Sequence, residues 1–338
     1  MLNSLKSVFN LLFESVRGSR YVTPTEAHPS LGPVLYALKT HNDPAPAHAL
    51  FHALQGADRD LRVPLVQAVG ERYFNALPWE AQAHVAERCA QGLDPFWMMA
   101  CAWWHVDRAW AARGGGSAQT VTPEGWAVLR ERCTLARRDL ARAAAIDPHD
   151  PTPHALMMRV ARGLGAREVA EEHYAAALRC SATSVETHEA YLVCVSERWF
   201  GTHDEMVTKA RTIARAMPDG SDAAGLIISA HHDVFDHTIA FDDDQPAAVA
   251  YARRPEVLRE VIEACARSID HPTHVPTLQT PRLRHLAALL FYHADERERA
   301  ALQLARVGNV FVKNPWWRVN VTPETFYTSV RRELGLAV

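Results

Sequence analysis

A short residue pattern recurs along the middle of the chain at nearly constant spacing. Its three copies are Ala136, Leu140, Ala143 and Pro148; Ala170, Tyr174, Ala177 and Ala182; and Met206, Ala210, Ile213 and Pro218. The copies end 34 and 36 residues apart, and Gly165 and Gly201 each stand five residues before a copy. Small residues let two antiparallel helices approach closely, and a proline stops the second helix. The pattern predicts stacked helical hairpins.

This recurrence resembles the tetratricopeptide repeat, a helical hairpin with a period of about 34 residues. The resemblance implies an all-α chain that folds as a right-handed α-solenoid of stacked antiparallel hairpins. It also implies that the first helix of each hairpin lines a concave groove. A generic helical bundle is the alternative fold.

Helical patterning extends over the rest of the chain, because period-2 runs are nearly absent and stretches rich in Ala, Leu, Arg and Glu dominate. Helices are predicted at residues 123–146, 153–164, 167–180, 185–200, 203–217, 221–237, 255–269, 281–294 and 295–307. We expect an N-terminal helical region (1–120), the hairpin repeats (121–240) and a C-terminal helical region that continues the array (241–338).

A second resemblance covers much of the chain. It depends on the run from Trp110 to Gly114, on Asp147-Pro148, on the segment at 198–206 and on Asn314-Pro315-Trp316. These segments resemble a bacterial family known as domain of unknown function 4034. Membership would imply a fold and no particular activity.

Composition narrows the class of partner. Lys plus Arg number 36 and Asp plus Glu 39, so a net charge of -3 supplies no positive field for nucleic acid. The six cysteines are scattered without a Cys-x-x-Cys pair, which favours reduced thiols and a cytoplasmic protein. No run of about 18 apolar residues occurs, so no membrane partner is predicted. Residues 1–20 carry one apolar stripe and are predicted to form a docking helix.

Candidate binding residues follow from the hairpin register. Counting back from the two hairpin glycines places these residues on the groove side of the first helices: Arg159, Arg162, His188, Tyr191 and Arg198. Guanidinium groups hold carboxylates through two parallel hydrogen bonds, so the predicted ligand is an acidic peptide or protein segment. A solvated arginine-rich face is the alternative interpretation.

The densest polar cluster lies further along the chain. It contains His231, His232, Asp233, Asp236 and His237. Imidazole and carboxylate four residues apart on a helix can share a divalent metal, so a metal-dependent hydrolase is one alternative function. Such pairs are usually surface ion pairs and no His-Glu-x-x-His motif occurs, so we predict no metal, no cofactor and no catalytic residue.

The sequence therefore favours a non-enzymatic protein-interaction module whose partner is another protein or peptide. An immunity or chaperone-like protein that holds one particular effector is a further alternative. The tryptophans clustered near residue 100 lie beside methionine and cysteine at helical spacing, and we predict that they pack in the core.

Overall fold

The computed structural model describes residues 21–115, 118–316 and 321–337. Regular structure in these residues is helical, and no strand longer than an isolated bridge occurs among them. The prediction of an all-α chain is therefore confirmed. None of the described helices is both long and apolar enough to span a lipid bilayer. The helix predicted for residues 1–20 lies outside the described residues.

Short helices build the N-terminal region and are followed by one long helix. In chain order the elements are α1 (Pro24–Ala27), α2 (Leu31–His41), α3 (Ala45–Ala53), a 3-10 helix (Gly56–Leu61), α4 (Arg62–Ala68), a π-helical turn (Val69–Tyr73), α5 (Phe74–Ala76), α6 (Trp79–Gln91) and α7 (Pro95–Arg113). Asp94 fixes the start of α7, because its carboxylate accepts a hydrogen bond from the Phe96 amide at 2.9 Å. Pro95 suits the first helical position because an amide hydrogen there would lack a partner.

The middle of the chain, where hairpins are predicted, is also helical. Its helices are a 3-10 helix (Ala118–Thr120), α8 (Pro123–Ile146), α9 (Thr152–Leu164), α10 (Arg167–Cys180), α11 (Val185–Cys194), α12 (His203–Ala216), a 3-10 helix (Asp222–Gly225) and α13 (Leu226–Ala240). Between α9 and α10, Gly165 has a φ of +66°, a left-handed conformation that glycine adopts without strain.

The C-terminal region adds shorter helices. They are α14 (Gln245–Ala252), α15 (Pro255–Arg267), α16 (Thr280–His293), α17 (Arg297–Val307) and α18 (Pro323–Glu333). The sequence prediction missed α14, although Asp244 caps it by accepting a hydrogen bond from the Ala247 amide at 2.8 Å. Pro246 in the first turn is a second start signal that the prediction did not use.

The repeat pattern marks the buried face and the end of three helices. Its members in α8, α10 and α12 are buried apart from Tyr174, which is half-buried: Ala136, Leu140, Ala143, Ala170, Ala177, Met206, Ala210 and Ile213. Each of these helices ends two residues before the last residue of its copy, which is Pro148, Ala182 or Pro218. The periodic residues thus have the packing role that the sequence assigned to them.

One helix ends earlier than predicted. The pattern predicts a helix over 185–200, but α11 stops at Cys194. The Ser196 hydroxyl donates a hydrogen bond to the Val193 carbonyl at 3.0 Å, a local bond that competes with helix continuation. The chain then turns tightly, and a Cβ on Gly201 would lie 2.2 Å from the Val195 carbonyl oxygen. The turn over 195–201 carries Arg198 and Trp199.

Consecutive helices from α7 to α13 contact one another. Alternate helices also meet, since α9 contacts both α7 and α11, and α13 contacts α15. The predicted boundaries at residues 120 and 240 fall between helices in contact, α7 with α8 and α13 with α14.

Polar anchors join distant parts of the chain. The buried Arg62 guanidinium donates to Asp150 at 2.6 Å and to the carbonyls of Phe51 and Leu54. Near the two ends of the described chain, Val22 pairs with residues 309–311 through backbone hydrogen bonds of 3.1 and 2.8 Å. The N-terminal helices are thereby held against both the hairpins and the C-terminal region.

Ala143→Leu tests the packing of the repeat pattern. Ala143 is buried, so a larger side chain should overpack the contact and lower the free energy of unfolding by about 1–3 kcal/mol. The matched control is Ala141→Leu on the exposed face of the same helix, which should leave stability nearly unchanged. Urea denaturation followed by circular dichroism gives both values. Equal stabilities for the two variants would contradict the buried register.

Candidate functional site: a cleft of arginine and tryptophan

Two arginines of α9 lie over tryptophan rings. The Arg159 guanidinium carbon is 5.0 Å from the centre of the Trp103 ring, and that of Arg162 is 5.3 Å from the centre of Trp199. They border a cavity of about 310 Å³. We call it the arginine–tryptophan cleft; its lining residues are Trp103, Val106, Asp107, Trp110, Arg159, Arg162 and Trp199.

Helical spacing places the cleft residues on facing surfaces. Trp103 and Trp110 are seven residues apart and therefore share one face of α7. Trp103 is held in place because its indole N–H donates a hydrogen bond to Glu71 at 2.9 Å. Arg159 and Arg162 are three residues apart on α9, so both guanidinium groups extend toward that face.

The turn over 195–201 supplies the remaining wall. Trp199 meets Trp110 edge to face, with ring centres 5.5 Å apart, the geometry that aromatic quadrupoles favour. Both rings are half-buried, so they cover the floor of the cleft and still present surface. Had α11 continued to residue 200 as predicted, Trp199 would not be on this turn.

Arg162 is half-buried, and one of its donors lacks a partner. Among the described residues, its buried Nε has no hydrogen-bond acceptor. Burial, together with the nearby charges of Arg159 and Arg198, lowers the pKa of Arg162 to about 10. The cleft therefore holds a positive charge beside aromatic rings with one buried donor unsatisfied, which is costly in the absence of a ligand.

The charge of Arg159 is better compensated. Burial lowers its pKa, but the carboxylates of Glu186, Glu71 and Glu189 oppose that shift. Burial and the neighbouring Asp60 raise the pKa of Glu186 to about 7, although a hydrogen bond from Gln279 opposes the shift. The cleft is thus acidic on the α11 side of Arg159 and positive around Arg162.

Arg198 lies near the cleft, but its side chain is already paired with carboxylates of α13. Its guanidinium pairs with Asp233 and lies 3.8 Å from Asp236, both on α13. Arg198 therefore contributes to the field around Arg162 while its own donors are used by α13. A ligand would have to compete with Asp233 to bind Arg198 directly.

His188 and Tyr191 occupy the protein interior instead of the cleft. Both are buried, and both pack on Tyr174 of α10. The Tyr191 ring stacks on that of Tyr174 at 3.8 Å between centres, and His188 Nδ1 lies 2.8 Å from the Tyr174 hydroxyl. Their role is to pack α10 against α11, so the binding surface reduces to the arginines.

The candidate metal ligands of α13 have separate partners. His231 Nδ1 lies 2.7 Å from the Tyr251 hydroxyl of α14, and its Nε2 lies 3.0 Å from Glu260 of α15. Both ring nitrogens therefore have partners. Asp233 binds Arg198, and the His237 ring stacks on Phe241. His232 is buried, and Asp236 lies beside Arg198. Across the part of the chain that the structure describes, His231, His232, Asp233, Asp236 and His237 do not form a three-ligand group.

A different three-ligand group lies in the core. Cys101, His105 and Asp139 bring possible ligand atoms within 4.8 Å of one another, and all three are buried. Burial and Asp139 raise the pKa of the Cys101 thiol, and burial lowers the pKa of His105 to about 3. Arg138 already binds the Asp139 carboxylate at 2.8 Å. A protonated thiol beside a carboxylate that is paired with Arg138 fits core packing better than metal binding.

Sequence reasoning found the arginines and missed their aromatic partners. The prediction assigned the tryptophans to the core, and Trp104 is indeed buried there with its indole N–H donating to Asn75. Trp110 lines the cleft instead, together with Trp199, which was not among the tryptophans predicted to pack in the core. The spacing of Trp103, Asp107 and Trp110 on one face of α7 was the available signal.

Comparison with known proteins adds no further constraint on this site. No protein-family model, curated protein or solved structure matches the chain. The functional interpretation therefore depends on the geometry and charge of the cleft.

Arg162→Met tests whether the unpaired charge is costly. Methionine keeps the length of the stem and removes the half-buried cation, so the melting temperature should stay the same or rise. The matched control is Arg62→Met, which removes a fully paired buried cation and should cost about 3–5 kcal/mol. Thermal unfolding followed by circular dichroism compares the two. A comparable loss in Arg162→Met would show that this arginine stabilises the fold.

Glu186→Gln tests the pKa raised to about 7 from 4.5. Between these values the folded state holds the proton more tightly than the unfolded state, so wild-type stability falls as pH rises through this window. Glutamine has no such titration. The variant should therefore gain about 1–3 kcal/mol relative to wild type between pH 4.5 and pH 8. Urea unfolding at both pH values measures the difference, and a constant difference would contradict the shift.

Proposed function

We propose that this chain is a non-enzymatic protein-interaction module that binds an acidic peptide or protein segment in the arginine–tryptophan cleft. The observation that carries the proposal is the half-buried Arg162 guanidinium, whose Nε has no acceptor within the described residues. A carboxylate bound there would supply the missing acceptor and the missing negative charge.

The walls of the cleft indicate what accompanies the carboxylate. Trp110 and Trp199 present half-buried rings beside Arg162, and such rings bind flat or apolar groups well. A cavity of about 310 Å³ lies at the small end of ligand pockets and suits one or two side chains of a larger partner. The proposed ligand carries an acidic residue next to an apolar or aromatic one.

The proposed architecture is a right-handed solenoid of the tetratricopeptide type, as the sequence resemblances to that repeat and to domain of unknown function 4034 imply. Contacts between consecutive helices, and between alternate helices such as α9 and α11, support this arrangement. In such an array the first helices of the hairpins share the concave side, where Arg159 and Arg162 would lie. The six free thiols support a cytoplasmic location.

Selection from a displayed random-peptide library tests the ligand chemistry. Wild-type protein should enrich peptides with an acidic residue adjacent to an apolar one. An Arg159→Ala, Arg162→Ala double variant should bind a selected peptide at least about 30-fold more weakly, because losing a buried partner of a charge pair costs about 2–5 kcal/mol. Fluorescence anisotropy with the labelled peptide measures both dissociation constants.

The control separates the cleft from general electrostatics. Arg130→Ala, Arg137→Ala removes the same charge from the exposed face of α8 and should leave the dissociation constant within about twofold of wild type. Enrichment of basic or uncharged peptides, or equal losses in the two double variants, would contradict binding in the cleft. Circular dichroism establishes that each variant is folded.

A further inference from the structure

Two histidines of α3 converge on the aspartate that caps α7. His48 and His52 are four residues apart and so lie one above the other on the same face of α3. His48 Nε2 lies 2.6 Å from Asp94 Oδ2, and His52 Nε2 lies 3.3 Å from Asp94 Oδ1. One possible ligand atom from each residue lies within 4.8 Å of the other two.

The supporting structure holds these groups in place. Asp94 Oδ1 also accepts the hydrogen bond from the Phe96 amide at 2.9 Å, which fixes the carboxylate at the start of α7. The His48 ring packs edge to face on Phe96 at 5.2 Å and stacks on Trp97 at 6.2 Å. Because packing limits the rotamers of His48 and the cap limits those of Asp94, little ordering remains when an ion binds.

A simple hydrogen-bonded pair does not account for this arrangement. The Phe96 amide and the His48 imidazole would suffice as partners for the two oxygens of the Asp94 carboxylate. A second imidazole, that of His52, nevertheless directs its Nε2 toward Oδ1. The side chains of His48, His52 and Asp94 are 36%, 45% and 33% exposed, so an ion from solvent can reach them. The buried group of Cys101, His105 and Asp139 has no such access.

We propose that His48, His52 and Asp94 form a binding site for a divalent transition metal, with Zn²⁺ as the ion that fits the donors. Two imidazoles and one carboxylate are an established ligand set for such ions. Asp94 also borders a cavity of about 420 Å³, with Tyr73, Arg88, Cys89 and Trp97 among its lining residues. Three protein ligands beside a cavity leave a coordination position for water or for a ligand group.

Zn²⁺ titration of the chelator-treated full-length chain tests the site. Isothermal titration calorimetry at pH 7.5 should show one tight equivalent, and Zn²⁺ should raise the melting temperature by mass action. His52→Gln removes an exposed ligand with little risk to folding. Asp94→Asn removes the anionic ligand but keeps the helix cap, because asparagine caps as well as aspartate. Each variant should weaken binding at least about 100-fold, since loss of second-shell partners alone costs about 10–100-fold.

The control is His84→Gln, which removes an exposed histidine from α6 and should leave the tight equivalent intact. Binding should also weaken at pH 5, because protons compete with the metal for the imidazoles. The site is overturned if wild type shows no tight equivalent. It is also overturned if His52→Gln and Asp94→Asn bind Zn²⁺ as tightly as His84→Gln does.

Discussion

Close approach of α8 and α9 at small residues is the constraint on which the arrangement of the cleft depends. A Cβ added to Gly163 would lie 2.9 Å from the Cys133 sulfur, so only glycine allows this separation without a shift of the neighbouring side chain. Ala136 and Ala143 extend the same close packing along α8. Because α8 also packs against α7, this separation determines how near α9 comes to the tryptophans of α7.

Arg62, which is buried, and Arg162, which is half-buried, show how the same side chain serves different purposes. Arg62 donates to Asp150 and to two carbonyls, so its charge and its donors are compensated, and it joins the N-terminal helices to the hairpins. Arg162 lies over an aromatic ring without an ion-pair partner among the described residues. An arrangement that lowers stability in this way is found mainly at functional sites, where a ligand supplies the missing partner.

Helix α7 connects the two proposed sites. Its first turn is fixed by Asp94, which also orients toward His48 and His52, and its later turns carry Trp103 and Trp110 into the cleft. Because one rigid helix carries both groups of residues, their relative position is fixed. Sites built on helices are more precise than sites built on loops for this reason. The pairing of Val22 with residues 309–311 further restrains the N-terminal helices against the C-terminal region.

Sequence patterns were enough to predict the helical class and the start of α8, because helix formation and capping depend on residues three or four positions apart. They also predicted that Arg159 and Arg162 share one surface, and both border the cleft. The three-dimensional structure was needed to show that Arg198 pairs with Asp233, 35 residues away, and that His188 is buried against Tyr174. Such partners depend on how separate helices are placed relative to one another. Local periodicity carries no information about that placement, which is why Trp199 and the His48, His52 and Asp94 group emerged only from the fold.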